Sequence, residues 1–357
     1  MKSRVSMPEQ LSREFKRRIA AGVYPVNSFL PPERELSREF DTSRDTVAAA
    51  LAILTDQGLT ERCRGRGTRV LHWQESQSQL PLCIIHGPLK ASRESFLAFE
   101  AIHDVLSRRG HRYELVGAEK WDSISEGEWP PVSTDQIMDR FGGAIYLESI
   151  YCNQQILELK SQDFPVVVAN LEDDMDISCT WVNHSKTTAH AVRTLAGLGH
   201  RRIAYLGRGP GPHFYGKAIT GYLAGLEEVD IDPDESLLGT VDQSRALPAY
   251  LKTRELLALP NPPTAIVAAR DLFAEGACQA AQEVGLVIGR DISIIGYDDV
   301  TWPQPEPFLT TFREPCYEMG VLAAELFLEK VITSNTEVIK REIDSPFIIR
   351  RSAGPLI

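Results

Sequence analysis

The chain has no paired cysteine signature. Its six cysteines (Cys63, Cys83, Cys152, Cys179, Cys278, Cys316) are scattered with no C-x-x-C spacing, which excludes the usual zinc and dithiol motifs and leaves free buried thiols. Long apolar runs are missing too. No stretch approaches the roughly 20 apolar residues of a membrane span, and the opening MKSRVSMPEQ has no apolar segment of the kind a secretory leader carries. A cytoplasmic protein without a membrane partner is therefore expected. Catalytic signatures are equally scarce: neither a G-x-S-x-G elbow nor an H-E-x-x-H pair occurs, so no catalytic residue, metal site or cofactor is assigned. Gly207-Arg208-Gly209-Pro210-Gly211 imitates a phosphate-cradling loop, but Pro210 removes an N–H and the full P-loop and dinucleotide patterns are not met.

Excess positive charge is the last absence. The formal net charge is −11, which argues against a uniformly basic nucleic-acid binder. The imbalance is uneven, however. Residues 1–71 hold 13 Lys plus Arg against 9 Asp plus Glu, a balance of +4, leaving −15 for the remainder. A small basic head on an acidic body suits a protein that meets phosphates with one end only.

What is present begins with Leu30 to Leu51, LPPERELSREFDTSRDTVAAAL. Leu36 and Phe40 recur at helical spacing after two prolines, which a helix start tolerates. Asp41 and Thr42 make a turn, and Ser43 is placed to cap a second helix. In that helix Val47, Ala50, Leu51 and Leu54 share one face, with Arg44, Asp45 and Ala48 on the other. Polar first turns projecting from a packed helix are what reach base edges in a major groove. Two short strands, Leu59 to Arg62 and Thr68 to Leu71, flank the turn Cys63-Arg64-Gly65-Arg66-Gly67 and predict a basic wing. An earlier helix, Pro8 to Ala21, has Leu11, Phe15 and Ile19 on one face; its cations Arg13, Lys16, Arg17 and Arg18 read as a solvated face rather than as phosphate contacts.

The segments LPPERELS, TSRDTVAAAL and GLTERCRGRGTRV resemble, in this order and spacing, the head of the GntR family of bacterial transcription regulators. That resemblance implies double-stranded operator DNA as a partner. It matches Arg34, Ser43, Arg44 and Thr46 to DNA contacts from the helices, and Arg64, Gly65 and Arg66 to a wing in the minor groove. Ala48 stands where many members carry arginine.

After Leu71 the polar HWQESQSQLP reads as a linker. Strands then alternate with helices: CIIH, Phe96 to Leu106, Tyr113 to Val116, Ala144 to Leu147 and Val166 to Ala169. The pattern restarts with Thr187 to Leu198, Ile203 to Leu206, Gly216 to Glu228, Leu238 to Val241, Ser244 to Leu259, Ala265 to Ala268, Ala274 to Val284 and Ile292 to Ile295. Such alternation implies parallel α/β sheets, here two successive lobes, with a ligand at the carboxyl ends of their strands in a cleft between them. The expected fold class is α/β: an N-terminal winged helix-turn-helix and a two-lobed periplasmic-binding-protein-like body. The expected division is residues 1–72 for DNA binding, 73–80 for the linker and 81–357 for effector binding and dimerisation.

Three segments of the body, VNHSKTTAHAVRTLAGLGHRRIAYLG, PPTAIVAARDLFAEGACQAAQEVGL and DISIIGYDDVTWPQPEPFLTTFREP, resemble the effector-binding body of the LacI/GalR family. The pairing of the two resemblances is similar to regulators of the arabinose-repressor type. It implies a homodimeric repressor with a small-molecule effector, a sugar or sugar derivative. Matched pocket positions are Asn170, Asp271 and Asp298, each expected at the carboxyl end of a strand. A carboxylate accepts two hydroxyl hydrogen bonds and so suits a vicinal diol, although a strand-end aspartate also serves as a helix cap. Phe214 with its neighbours His213 and Tyr215 can stack on a ring or pack the loop. Lys217 and Arg270 are added as cations near the pocket: Ala218 replaces an arginine common in the family, and Arg270 replaces a neutral residue. The competing class is an α/β sugar-binding or sugar-modifying protein that has acquired a DNA-binding head.

Overall fold

The computed structural model describes residues 6–20, 23–56, 58–71, 80–86, 93–117, 132–147, 153–171, 175–209, 214–241, 245–299, 307–333 and 337–356. The chain divides into two compact units. One comprises Met1–Leu171, Asp176–Thr180 and Cys316–Arg341, and the other Glu172–Met175, Trp181–Pro315 and Glu342–Ile357.

The first unit starts with the head. Helices α1 (Met7–Ala20), α2 (Glu33–Glu39) and α3 (Arg44–Asp56) precede the antiparallel strands β1 (Thr60–Cys63) and β2 (Gly67–Val70). Leu11, Phe15, Leu36, Val47, Ala50, Leu51, Leu54 and Val70 form one buried cluster, so the apolar spacing of the three helices converges on a single core. Gly65 and Gly67 in the wing turn have φ of 77° and 104°, backbone that side chains resist. Arg18 ties the head together through hydrogen bonds to Glu14, Glu39 and Tyr24. Burial alone would depress its pKa, but the bonds to Glu39, Glu14 and Tyr24 outweigh that and raise it. Most of the expected linker lies outside the described residues.

Beyond it run β3 (Leu82–His86), α4 (Arg93–Arg108), β4 (Tyr113–Gly117), α5 (Thr134–Arg140), β5 (Ala144–Tyr146), α6 (Asn153–Ser161), β6 (Val166–Ala169) and β7 (Cys179–Trp181). The second unit holds α7 (His184–Gly197), β8 (Ile203–Gly207), α8 (Phe214–Glu228), β9 (Leu238–Thr240), α9 (Ala246–Leu257), β10 (Ala265–Ala268), α10 (Asp271–Glu283), β11 (Ser293–Asp298) and β12 (Thr310–Arg313). The chain closes with α11 (Cys316–Thr333), β13 (Lys340–Glu342) and β14 (Phe347–Ile348). The sheet orders are β13-β7-β6-β5-β3-β4 and β14-β12-β11-β10-β8-β9. Among the pairs whose register is described, pairing is parallel except where β14 runs against β12.

The fold corrects the expectation of two successive lobes. α11 and β13, from the C-terminal part, complete the first unit, and the last residues return to the second. α11 seats against α4 because a side chain at Gly320 would fall 2.3 Å from the Ala98 carbonyl oxygen; only glycine permits that approach. Ala323, Ala324 and Phe327 then join Ala98 and Ile102 in the core. Periodicity marks which face of a helix is apolar, not which sheet receives it.

Candidate nucleic-acid interface and ligand site

In the head, Ser43 precedes α3 and its Oγ accepts the Thr46 N–H at 3.1 Å, while the two hydroxyls meet at 2.8 Å. One orphan donor of the helix start is satisfied this way. The same bonds fix Ser43 and Thr46 in register with Arg44, which is exposed between them. Arg34 is exposed on α2, and Arg64, Gly65 and Arg66 are exposed at the wing tip.

The cations of the head fall into two groups. Arg62 is held by Glu33 at 3.0 Å and Arg69 by Glu61, whereas Arg34, Arg44 and Arg64 have no ion pair among the described residues. Arg66 rests its guanidinium 5.0 Å from the centre of the Phe29 ring, and Phe29 itself bridges to Arg69 of β2. The ring thus props the wing cation, a role the sequence left unread because Phe29 stands alone between a turn and a proline pair.

In the second unit the candidate ligand residues gather at the carboxyl ends of β10, β11 and β12. Arg270 occupies the N-cap of α10 and its Nε donates to Asp298 Oδ2 at 2.8 Å. Asp298 is the last residue of β11, which runs three residues beyond the expected end, and has φ of 121°. This is a conformation non-glycine residues rarely hold. Asp299 follows with φ of 59° and accepts from Arg313 and Arg350 at 2.8 and 2.7 Å.

Asp271 requires a correction. It is buried, and its Oδ1 accepts the Thr311 hydroxyl at 2.6 Å. The bare face of Gly296 makes room for this, since a Cβ there would lie 2.2 Å from that oxygen. The carboxylate therefore faces the sheet rather than the strand ends, and it is a packing group.

Three residues escaped the sequence reading. Glu314 is buried just past β12, its N–H donates to the Asp298 carbonyl at 3.3 Å, and its carboxylate accepts the Tyr297 hydroxyl. His184 Nε2 stands 3.7 Å from Glu314 Oε2, and the His184 and Tyr297 rings are 4.8 Å apart. Burial would raise the Glu314 pKa, but the His184 hydrogen bond and charge, the Tyr297 hydroxyl and the Arg270 charge together hold it below the usual carboxylate value. Tyr297 is pushed well up, first by burial and then by the Glu314 charge. The signal available was a lone acid beside Arg313 in the otherwise uncharged run PFLTTFREPCY.

Of the other expected positions, Lys217 is half-buried on α8. Asn170 belongs to the first unit, one residue past β6, exposed, with φ of 60° and its N–H toward Thr180 Oγ1 at 3.4 Å. The side chains of Phe214 and Tyr215, and His213 altogether, lie outside the described residues.

Comparison with known proteins matches the head and the later part of the chain separately. Residues 8–70 match the bacterial regulatory proteins of the gntR family, and residues 192–353 match the periplasmic binding protein-like domain. The HTH-type transcriptional repressor PurR of Escherichia coli O139:H28 is 32% identical over 296 residues, covering 80% of this chain and 85% of the repressor. The chain belongs to this family of helix-turn-helix transcription regulators. The regulator is also 26% identical to the arabinose metabolism transcriptional repressor of Geobacillus stearothermophilus over 96% of both chains. With the probable HTH-type transcriptional repressor ExuR of Bacillus subtilis it shares 31% identity over 61% of this chain and 66% of that one, just under two thirds of that relative's length. Among solved structures, a LacI family transcriptional regulator from Enterococcus faecium with bound ribose is 25% identical, has a TM-score of 0.63 and covers 77% of this chain and 100% of its own. A LacI family regulatory protein from Chloroflexus aggregans gives 25% identity and a TM-score of 0.66 over 76% and 98%.

Proposed function

We propose that this regulator is an effector-responsive repressor, acting in the cytoplasm as a homodimer on a palindromic operator. Residues 1–72 bind DNA, 73–80 link, and 81–357 bind the effector and dimerise. The observation that carries the reading is the sorting of the head's cations: Arg62 and Arg69 are spent on internal carboxylates, while Arg34, Arg44 and Arg64 stand exposed on the second and third helices and the wing. These cations, with Ser43, Thr46, Gly65 and Arg66, form the DNA-contacting set. Two heads on a two-fold dimer read two half-sites, which makes operator symmetry a consequence of protein symmetry.

The effector is a carbohydrate or carbohydrate derivative. The support is the pairing of Arg270 with Asp298 at the carboxyl ends of β10 and β11, together with the ribose held by the enterococcal neighbour; Lys217 and Phe214 of α8 and Asn170, one residue past β6, are the further residues we assign to the effector. The dimer is supported by the surface of α4 and the edge strand β4, where Phe96 and Leu115 are 49% and 44% exposed and the Phe96 ring meets Phe99, which in turn meets His103 and Tyr113 in tilted and edge-on contacts. An exposed apolar patch on an open sheet edge is costly unless another copy covers it.

The test is direct. Duplexes selected from a random pool by the purified regulator are expected to be two-fold symmetric, and a sugar that raises the melting temperature is expected to change affinity for them. Selection of no common sequence would overturn the operator assignment.

A further inference from the structure

The outward face of α3 carries an acid that the DNA-contacting set of the head leaves unused. With about 3.6 residues per turn, Asp45 lies about 160° round the helix from Val47, and Val47, Ala50, Leu51 and Leu54 are the buried side. Asp45 is exposed and stands in the first turn of the helix, near the middle of the face turned away from the core. Ala48, Ala49 and Ala52 complete that face, and their methyl groups neither shield the carboxylate nor hold a base edge away from it.

The charge is not neutralised from within the head. Asp45 makes no hydrogen bond or ion pair among the described residues. Arg44, the one cation of α3, does not bridge to it, because neighbours in sequence do not face each other on a helix.

A recognition helix enters the major groove by its first turns. There the Asp45 carboxylate gives up water between two rows of phosphates, and the loss is uncompensated unless a base returns a hydrogen bond. The duplex bound best is therefore one that sets an N–H donor opposite it. Guanine shows only acceptors in the major groove, N7 and O6, and thymine shows O4; adenine sets the acceptor N7 beside its amino group. Cytosine alone presents a donor, its N4 amino group, without an acceptor of its own. The favourable dipole at a helix start explains why the fold tolerates an acid here, but it acts with and without DNA and leaves the cost in the groove in place.

Resting on the operator reading above, we propose that Asp45 reads a base: in each half-site it accepts a hydrogen bond from the N4 amino group of a cytosine, and it rejects duplexes that put guanine or thymine there.

The experiment is selection of duplexes from a random pool by the full-length regulator and by its Asp45→Ala and Asp45→Asn variants, followed by anisotropy titration of single-base changes and by melting of each protein. The wild type is expected to require cytosine at one position of each half-site, with a loss of about tenfold or more on substitution. Asp45→Ala is expected to lose the preference at that position alone. Asp45→Asn is expected to move it toward adenine, whose N6 and N7 an amide meets together. Variants that melt lower yet select the wild-type sequence show a helix-dipole role only and overturn the inference while leaving the operator reading standing. A preference for another base in the wild type, at the position that Asp45→Ala relaxes, overturns the cytosine assignment. Selection of no common sequence by the wild type overturns both readings.

Discussion

The carboxylate of Glu314 lies 3.7 Å from His184 Nε2 with both side chains 5% exposed. A buried acid of this kind has a pH consequence with a fixed sign. Its pKa is lower in the folded chain than its ordinary value of 4.5, so its contribution to stability is complete above that value and is lost as pH falls through the folded pKa. The melting temperature is therefore expected to drop on acidification below pH 4.5, and Glu314→Gln is expected to flatten that part of the profile. Glu314→Ala removes one partner from a buried pair and is expected to cost about 3–5 kcal/mol in urea unfolding. A wild-type acid profile in Glu314→Gln would show that the pair does not form. Tyr297 acts at the other extreme: its pKa is raised well above 10, so its neutral form stabilises the fold fully below pH 10 and that stability is lost as pH rises beyond.

Gly296 and Asp271 give a second expectation. Alanine at 296 would press its Cβ against Asp271 Oδ1 and lie 2.9 Å from Leu309. Overpacking of that kind costs about 1–3 kcal/mol, and Gly296→Ala is expected to lower the unfolding midpoint accordingly. Asp271→Asn keeps an acceptor for Thr311, so it is expected to be tolerated better than Asp271→Ala. Neither change is expected to alter sugar affinity in protein that remains folded. A binding defect without a stability defect would restore Asp271 to the ligand site.

The dimer surface is tested by charge. Phe96→Asp and Leu115→Lys alter exposed positions and are expected to leave the monomer fold intact while shifting sedimentation from dimer to monomer at micromolar concentration. Sedimentation unchanged in both variants would place the interface elsewhere.

How much of this was legible beforehand depended on the range of the interactions. The head was readable because its information is local: Ser43 caps the helix it precedes, and Val47, Ala50, Leu51 and Leu54 declare one face within three turns. The central strands, buried on both faces, appear as apolar runs such as Val166 to Ala169. What stayed hidden was long-range. Gly320 shows its purpose only against Ala98, and nothing near α11 in the chain announces that it returns to the first sheet. α5 and α6 are seven and nine residues long, too short for periodicity to distinguish. At the ligand site the aspartates were visible, but their orientation was not. Asp271 turns inward because Thr311, forty residues away, offers a hydroxyl and Gly296 offers space.

The last prediction separates three functions within the head. Ser43 bonds the Thr46 N–H, so Ser43→Ala is expected to cost about 0.5–2 kcal/mol of stability as a lost cap, in addition to any effect on DNA. Arg44 is exposed in the first turn of α3, the position from which the proposed DNA complex would have it meet a base edge or a phosphate. Arg44→Ala is expected to cost about 1–3 kcal/mol on a selected duplex and much less on random DNA if it reads a base, with stability unchanged. Arg66 differs because its guanidinium leans on Phe29. Removing the ring in Phe29→Leu is expected to reproduce part of the Arg66→Ala loss by releasing the cation from its support. Both losses are expected to be greatest on duplexes with A·T-rich flanks, where the minor groove is narrow and its potential most negative. Fluorescence anisotropy across a salt series distinguishes the roles further: loss of a phosphate contact lowers the slope of log K against log salt by about 0.9. Equal losses for Arg44→Ala on selected and random duplexes would make it a phosphate contact, and an Arg66→Ala loss indifferent to flank composition would remove the wing from the minor groove.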